Sequence, residues 1–367
     1  MTNIHTAPAQ VPDFLPELMN FMSRPDGDDE AFNQLALKLF SYQFRNNHAL
    51  QRYCRMHGRT PRTVRHWRDI PAVPINGFKE LTLSCIPPEQ CQRVFMTSGT
   101  TRKDNRGRHY HPNLTVYDHS MKLHFAQRFM RGLPRIRMGI LFPDEEMMPN
   151  SSLAHYLALA KQEFGAPGSA YFVGPDGMDI DGLCAALEGA ESTATPYALL
   201  GASYSFVHLM DELERRGKRF SLPEGSRLFD TGGFKGQSRE LGGAEFYELL
   251  QHYFGVAPAQ CTNMYGMTEL STQFYDDGNA QQPSIKSGPH WIRTRAVDPL
   301  TGQDVPDGER GVLVHCDLAN FNSTTTLLTE DVGVILPEGF LLLGRAEGAQ
   351  AKGCSLAMDA FLQATVE

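Results

Sequence analysis

Five consecutive small residues, Thr97, Ser98, Gly99, Thr100 and Thr101, follow directly on the apolar run Val94-Phe95-Met96. Glycine lets backbone N–H groups approach an anion closely, and neighbouring Ser and Thr hydroxyls add rotatable donors for phosphate oxygens. The loop is thus equipped to hold the phosphates of a nucleotide, although clusters of this composition after a strand also form ordinary turns. It lacks the Gly-x-x-x-x-Gly-Lys-Ser/Thr spacing of the P-loop NTPases, which argues against a kinase-like or GTPase-like site. Arg102, Lys103, Arg106 and Arg108 come next. Such a basic run either covers a solvated loop or draws in ATP or pyrophosphate.

Far downstream, Asn263-Met264-Tyr265-Gly266-Met267-Thr268-Glu269 places an aromatic ring, a glycine, a hydroxyl and a carboxylate within five positions. Together they could stack on a base, bond a phosphate or carboxylate and hold a magnesium ion. Between the two segments, Leu228-Phe229-Asp230-Thr231 runs into Gly232-Gly233, a turn whose backbone could lie flat against a purine. Three separated elements therefore suit one nucleotide.

The elements that must position these residues read as strands alternating with helices. Residues 31–56 carry Phe32, Leu35, Leu39, Phe40 and Phe44 on one helical side, and helical patterns recur near 117–131, 151–164, 201–217 and 243–255. Short apolar runs separate them at 139–142, 170–173, 197–200 and 311–315. This alternation predicts an α/β fold with sheets covered by helices. The first 30 residues, rich in proline, read as a loosely held lead-in.

Composition bounds the possibilities. A chain of 367 residues with 41% hydrophobic content can bury one large core or two lobes. A formal charge of −8 argues against a chain-wide attraction to nucleic acid or anionic lipid. No apolar stretch reaches 18 residues and the N-terminus carries no secretory pattern, so a cytoplasmic protein without membrane insertion is expected. The seven cysteines form no Cys-x-x-Cys pair and no metal-ligand spacing with histidine, so most read as reduced structural thiols.

The Thr-Ser-Gly-Thr-Thr loop, the Gly232-Gly233 turn and the Tyr-Gly-Met-Thr-Glu run occur in the same order as in the acyl-adenylate-forming (ANL) enzymes, which include acyl-CoA synthetases, luciferases and peptide-synthetase adenylation domains. Within that superfamily the chain most resembles the LuxE family, the acyl-protein synthetases of bacterial luminescence. The residues carrying this resemblance are Trp291-Ile292-Arg293-Thr294-Arg295, Asn150-Ser151-Ser152-Leu153 and Lys352-Gly353-Cys354-Ser355-Leu356. It spans roughly residues 70 to 362.

The resemblance implies a layered α/β adenylating core over 31–275, a smaller β-rich subdomain over 276–345 that completes the nucleotide site, and a short C-terminal segment, 346–367, carrying Cys354. In larger relatives a mobile C-terminal domain follows the hinge, supplies a lysine for adenylation and builds a tunnel for coenzyme A. Here 22 residues follow Gly344-Arg345, so a truncated C-terminal domain is expected.

By the same resemblance, Thr97, Ser98, Gly99, Thr100 and Thr101 would hold the β- and γ-phosphates of ATP, and Gly232 and Gly233 would lie along adenine. Tyr265, followed by Gly266 and Met267, would stack on the base; Thr268 would touch the α-phosphate or carboxylate, and Glu269 would bind Mg2+. Asp331 of Thr329-Glu330-Asp331 would hold the ribose hydroxyls, and Arg345 would contact ribose or phosphate. The phosphate loop departs from the common pattern in continuing with Arg102, Lys103 and Asp104, so the residue that meets pyrophosphate is open, with Lys103 one choice.

An acyl-adenylate is a mixed anhydride that a thiolate can capture as a thioester, and Cys354 resembles the acylated cysteine of the LuxE family. A free thiol has a pKa near 8.5, so its surroundings must favour the anion. Ser355 is placed to cap a short helix through Ala357, Ala360, Phe361 and Ala364, which would set the thiol at the positive end of that helix near Lys352. A buried apolar thiol beside a C-terminal helix is the plainer alternative.

His155 and His208 lie on helical stretches that could wall an acid pocket or serve structure, and Tyr204, Phe206 and Val207 could line an apolar tunnel or the core. The carboxylic acid substrate is a fatty acid by resemblance alone; an aryl or branched acid stays open. An acyl reductase subunit or carrier protein is the expected partner, in an oligomer or complex. Two further readings fit: an acid:CoA or acid:carrier-protein ligase resembling phenylacetate-CoA ligase, with Cys354 incidental, and a silent nucleotide-binding subunit.

Overall fold

The computed structural model describes residues 12–98, 105–234 and 236–365. The chain divides into two compact units. The first comprises 1–120, 267–272 and 288–367, and the second 121–266 and 273–287.

The second unit is built on a six-stranded sheet. Its order is Phe274–Tyr275, Cys261–Tyr265, Arg227–Thr231, Tyr197–Ala202, Arg137–Leu141 and Ala170–Tyr171, all parallel except the antiparallel edge strand Phe274–Tyr275. Both faces are covered, which explains why Tyr197–Ala202 reads as an unbroken apolar run, buried at every position. Alternate side chains feed opposite layers. Leu199 and Leu228 join Leu183, Leu187, Phe206, Leu209, Leu250 and Phe254 on one face. Ala198, Leu200 and Phe229 join Phe125, Tyr156 and Leu157 on the other.

The first unit contains the antiparallel strands Ile292–Val297, Arg310–Asp317, Thr326–Leu336 and Gly339–Arg345, each paired with the next. Val73–Pro74 adds in parallel to Thr326–Leu336, pairing with Leu327 and Leu328. The helices Asp29–Asn46 and His48–Met56 replace the single helix expected over 31–56. The break is Asn47, whose Oδ1 accepts from the Leu50 N–H at 3.2 Å and whose Nδ2 donates to the Ser323 carbonyl at 3.0 Å. Gln43 likewise donates to the carbonyls of Asn320 and Phe321 and accepts from the Thr325 N–H. These fully buried amides satisfy backbone that would otherwise be orphaned, binding residues 320–325 to the N-terminal helices.

Two expectations need correction here. The stretch 12–30 is not a loose lead-in: Leu15–Met22 is a helix whose Leu15, Leu18, Phe21 and Met22 are buried, and the Phe21 carbonyl is bonded to His290 Nε2 at 2.8 Å. Nor do the compact units follow the boundaries at 275/276 and 345/346. Residues 31–120 pack with 288–367 instead of with the parallel sheet, because the Val73–Pro74 strand and the Gln43 and Asn47 amides attach them there.

Helix Gly348–Thr365 closes the first unit. Gly353 sits where a Cβ would come within 2.7 Å of Pro299, so only glycine permits this approach. Phe361 stacks edge-on against Tyr53 at 4.8 Å, and Arg52 donates to the Thr365 carbonyl. Ala-rich composition offsets the helical cost of Gly353, about 1 kcal/mol relative to Ala.

Candidate active site

In the first unit the hairpin Arg93–Met96/Arg108–His111 leads into Thr97 and Ser98, the described part of the expected phosphate loop. Thr97 closes its open end: its N–H donates to the Gly107 carbonyl at 3.0 Å and its Oγ1 accepts from the Gly107 N–H at 2.9 Å. Ser98 is exposed. Gly99, Thr100, Thr101 and Lys103 lie outside the described residues.

The Met267–Thr272 turn belongs to the same unit. Met267 opens it, accepting at its carbonyl from the Leu270 N–H, and side chains from five residues pin it. His109 Nδ1 is 2.9 Å from the Thr268 carbonyl, and Asn320 donates to the Glu269 carbonyl at 2.8 Å. Asp317 accepts from the N–H groups of Ser271 and Thr272 and from the Thr272 hydroxyl. Trp291 Nε1 donates to the Thr272 hydroxyl, which also lies 3.1 Å from the Ser120 hydroxyl.

Thr268 and Glu269 are thereby fixed beside the hairpin. A Cβ on Gly107 would lie 3.1 Å from Glu269 Oε1 and 3.1 Å from Thr97 Cγ2, so the carboxylate reaches the Thr97–Gly107 closure. Burial pushes the Glu269 carboxyl up to about 7, against the opposing pull of its own N–H, of Lys79 and of Arg345, with Asp331 adding to the rise. A buried carboxylate held near neutrality, with cations and a second carboxylate close by, is the kind of group from which functional sites are built.

Asp331 and Arg345 face each other across paired strands, with Arg345 Nη1 3.4 Å from Asp331 Oδ1 and its other nitrogen bonded to Glu330. The register shifts beside Gly344, whose φ of +121° suits glycine and turns the chain into Arg345. Glu330 in turn bonds Asn76, whose Oδ1 accepts from Lys79 at 2.7 Å. Thr97, Glu269, Asp331, Arg345 and Lys79 thus form one polar group within the first unit. Lys79, Gly107, His109, Asp317 and Asn320 carry no local motif in the sequence, although Gly107 interrupts the basic run between Arg106 and Arg108.

Cys354 does not occupy a helix N-terminus. The helix begins at Gly348, so the thiol lies inside it, and Ser355 caps nothing: its hydroxyl bonds back to the Ala351 carbonyl at 3.0 Å. The thiol is buried against Val297, Val312, Val314, Leu328 and Val332 and points at the Thr329 carbonyl, 3.8 Å away. Burial first, and then Glu330, push it up to about 11, opposite to the activation expected.

In the second unit Gly232 takes a φ of +77°, and a Cβ on Gly232 or Gly233 would meet nothing within 4 Å, so this turn presents open backbone. Tyr265 is buried beside Phe274, ring centres 5.8 Å apart, while Gly266 is exposed. Beneath both lies a buried network. Asp230 accepts from Ser203, Tyr247 and Asn263; Lys286 donates to Asn263 and, at 2.6 Å, to Asp276. Burial raises Asp230 to about 6. Phe206 and Val207 are core, Tyr204 packs partly buried, His155 pairs with Glu145 at 2.9 Å, and His208 is bonded to the Gln237 carbonyl.

The residues present fit magnesium. Glu269, the Thr97 hydroxyl and Asp331 are hard oxygen donors, and the Glu269 carboxylate is an ionisable group that a cation would stabilise in its charged form. Among the described residues no three His, Cys, Asp or Glu side chains converge on a metal position. Magnesium is commonly held by one or two carboxylates plus phosphate oxygens and water.

This arrangement sits on the fold of the adenylate-forming acyl-CoA ligases. A solved 2-hydroxyisobutyryl-CoA ligase, in an open conformation with 2-HIB-AMP and CoA, matches 86% of this chain and 69% of its own at a TM-score of 0.63 and 16% identity. The same ligase in its thioesterification state matches 87% and 68%, also at 0.63, with 17% identity. MatB from Rhodopseudomonas palustris, solved with ATP bound, matches 71% and 49% at 0.50 and 18%. Residues 6–363 match the acyl-protein synthetases, LuxE, and the chain belongs to that family. It is 24% identical to the long-chain-fatty-acid–luciferin-component ligase of Vibrio harveyi, over 89% of this chain and 87% of the relative. To that of Aliivibrio fischeri it is 22% identical, over 95% and 94%. The expected α/β adenylating fold and ligase class are both met. Among the described residues no helix is long and apolar enough to cross a membrane.

Proposed function

We propose that this chain is a cytoplasmic, magnesium-dependent enzyme that activates a carboxylic acid with ATP as an acyl-adenylate and passes the acyl group to a thiol. The observation that carries this reading is the Glu269 carboxylate, buried at the base of the Thr97–Gly107 closure with Lys79, Arg345 and Asp331 around it. A fatty acid is the favoured substrate, since both curated relatives are named as long-chain-fatty-acid ligases. ATP as cosubstrate is supported by the nucleotide-bound ligases that share the fold.

In the first step the acid's carboxylate attacks the α-phosphorus of ATP, forming the acyl-phosphate anhydride as the bond to pyrophosphate breaks. Magnesium would neutralise phosphate charge there, held by Glu269. Thr97 to Thr101 would bind the β- and γ-phosphates, and Thr268 the α-phosphate or the attacking carboxylate. Asp331 and Arg345 would hold the ribose, and Gly232, Gly233, Tyr265, Gly266 and Met267 the adenine. In the second step a thiolate attacks the carbonyl and AMP leaves with the electron pair.

Cys354 is the proposed acceptor, for delivery to a reductase subunit or carrier within a complex. Its thiol points at Thr329 on the strand that carries Asp331, so capture requires helix Gly348–Thr365 to release it. That burial also favours a second reading, in which an external thiol, of coenzyme A or a carrier protein, accepts the acyl group. Intact-mass measurement with ATP, magnesium and a panel of acids decides: an adduct labile to hydroxylamine and lost in Cys354→Ser establishes self-acylation. Acid-dependent AMP formation without an adduct establishes an external acceptor, and no acid-dependent ATP–pyrophosphate exchange overturns adenylation itself.

A further inference from the structure

His109 is buried, at 1% exposure, in the strand Arg108–His111, which continues directly from Gly107 at the closure of the phosphate-loop hairpin. Its ring is clamped between Phe78, edge-on at 5.5 Å, and His111, whose ring centre is 4.2 Å away. The ring nitrogens meet Thr268 and Ser323, at 2.9 Å from the Thr268 carbonyl and 3.1 Å from the Ser323 hydroxyl.

These partners determine the tautomer. A carbonyl only accepts, so Nδ1 carries the proton and donates to Thr268; Nε2 in the neutral ring then accepts from the Ser323 hydroxyl. Burial depresses the imidazole to about 4, keeping it neutral at ordinary pH. The other ties to the turn, from Asp317, Asn320, Trp291 and Ser120, come from outside that hairpin. Among these ties, the one from His109 comes from the hairpin that bears Thr97 and Ser98.

We propose that His109 is a positioning residue for adenylation, its Nδ1–H bond to the Thr268 carbonyl holding the Thr268–Glu269 turn in register with the phosphate-loop hairpin. The proposal rests on the adenylation reading above. His109 touches no reacting atom; it sets where the Thr268 hydroxyl and the Glu269 carboxylate stand relative to the bound phosphates. Misplacement of such groups by a fraction of an ångström slows reactions that depend on alignment.

The test exploits side-chain geometry. Asparagine places an N–H where Nδ1 stands, whereas glutamine reaches towards the Nε2 position. ATP–pyrophosphate exchange should fall about 10- to 100-fold in kcat in His109→Gln with little change in the KM for ATP, and His109→Asn should recover most of it. Selective 15N labelling of histidine should show His109 as the Nδ1–H tautomer. Hydrogen exchange at the Leu270–Thr272 amides should be faster in the Gln variant than in the Asn variant.

An Nε2–H tautomer, a Gln variant as fast as wild type, or Asn and Gln variants equally slow while melting with wild type would overturn the proposal. If wild type exchanges pyrophosphate with no acid, the adenylation reading fails. The tautomer and the turn's exchange protection then still decide whether His109 holds the turn.

Discussion

The Cys354 thiol donates to the Thr329 carbonyl, 3.8 Å away, two residues before Asp331 on the same strand. The proposed acyl acceptor and the proposed ribose ligand therefore share one stretch of backbone. With the thiol pushed up to about 11, its thiolate fraction at pH 7 is on the order of one in ten thousand. Iodoacetamide should label Cys354 far more slowly in the folded chain than in urea, with peptide mass mapping as the readout. Rapid labelling of the folded protein would mean that helix Gly348–Thr365 is already open.

Glu269 opposes stability for the sake of its position. Its folded pKa, raised from 4.5 to about 7, means that the fold binds a proton more tightly than the unfolded chain. The contribution is favourable below about 4.5, is lost progressively as pH rises, and is fully lost above about 7. Glu269→Gln should therefore be more stable than wild type at pH 8, by on the order of 3 kcal/mol at most. The same variant should lose acid-dependent exchange and the response to magnesium, whereas chelation should abolish exchange in wild type. Denaturant titration at pH 5 and pH 8 checks the sign, since the advantage should shrink at the lower pH.

Gly107 is tightly packed, because a Cβ there would come within 3.1 Å of both Glu269 Oε1 and Thr97 Cγ2. Gly107→Ala should cost about 1–3 kcal/mol through overpacking and displace the carboxylate. Exchange activity should drop about tenfold or more with the fold retained by circular dichroism. An alanine variant with wild-type kcat would remove Glu269 from the phosphate site.

Lys286 and Asp276 form an ion pair at 2.6 Å with side chains only 5% and 1% exposed. Lys286→Met should cost about 3–5 kcal/mol by leaving Asp276 buried without its cation. Lys286→Met with Asp276→Asn should recover part of that, as read by urea unfolding. Because Lys286 also donates to Asn263, two residues before Tyr265, the single variant should weaken ATP binding as well.

Much of this was legible in the sequence for definite reasons. Tyr197–Ala202 and Arg310–Asp317 announce themselves as apolar strands, and helices Ser152–Phe164, Ser203–Arg216 and Gly243–Phe254 fall within a residue or two of their periodic patterns. Helix Ile180–Ser192 has no clear periodic signal in the sequence. Its Gly182 and Gly189 weaken the pattern, and Asp179, which caps it by accepting from the Gly182 N–H, looks like a turn residue. The helix around Cys354 starts earlier than the sequence suggests, because Gly353-Cys354-Ser355 reads as a helix start by local propensity, yet packing of Gly353 on Pro299 carries the helix through it. Tertiary contact overrode a local signal. The ties from His109, Asp317 and Asn320 to the Thr268–Glu269 turn join residues tens of positions apart, and no local pattern encodes them.

The division of the chain bears on how it can be cut. Residues 267–272 belong to the first unit although 121–266 and 273–287 on either side belong to the second. A fragment spanning 121–287 would keep every strand of the parallel sheet but strand the Ser271 and Thr272 amides without the Asp317 carboxylate that accepts from them. The complementary pieces would keep Asp317 and lose the turn. Limited proteolysis between 120 and 288 cannot, then, release two self-sufficient halves, and swapping the parallel-sheet unit between relatives must carry a matched partner for those few inserted residues.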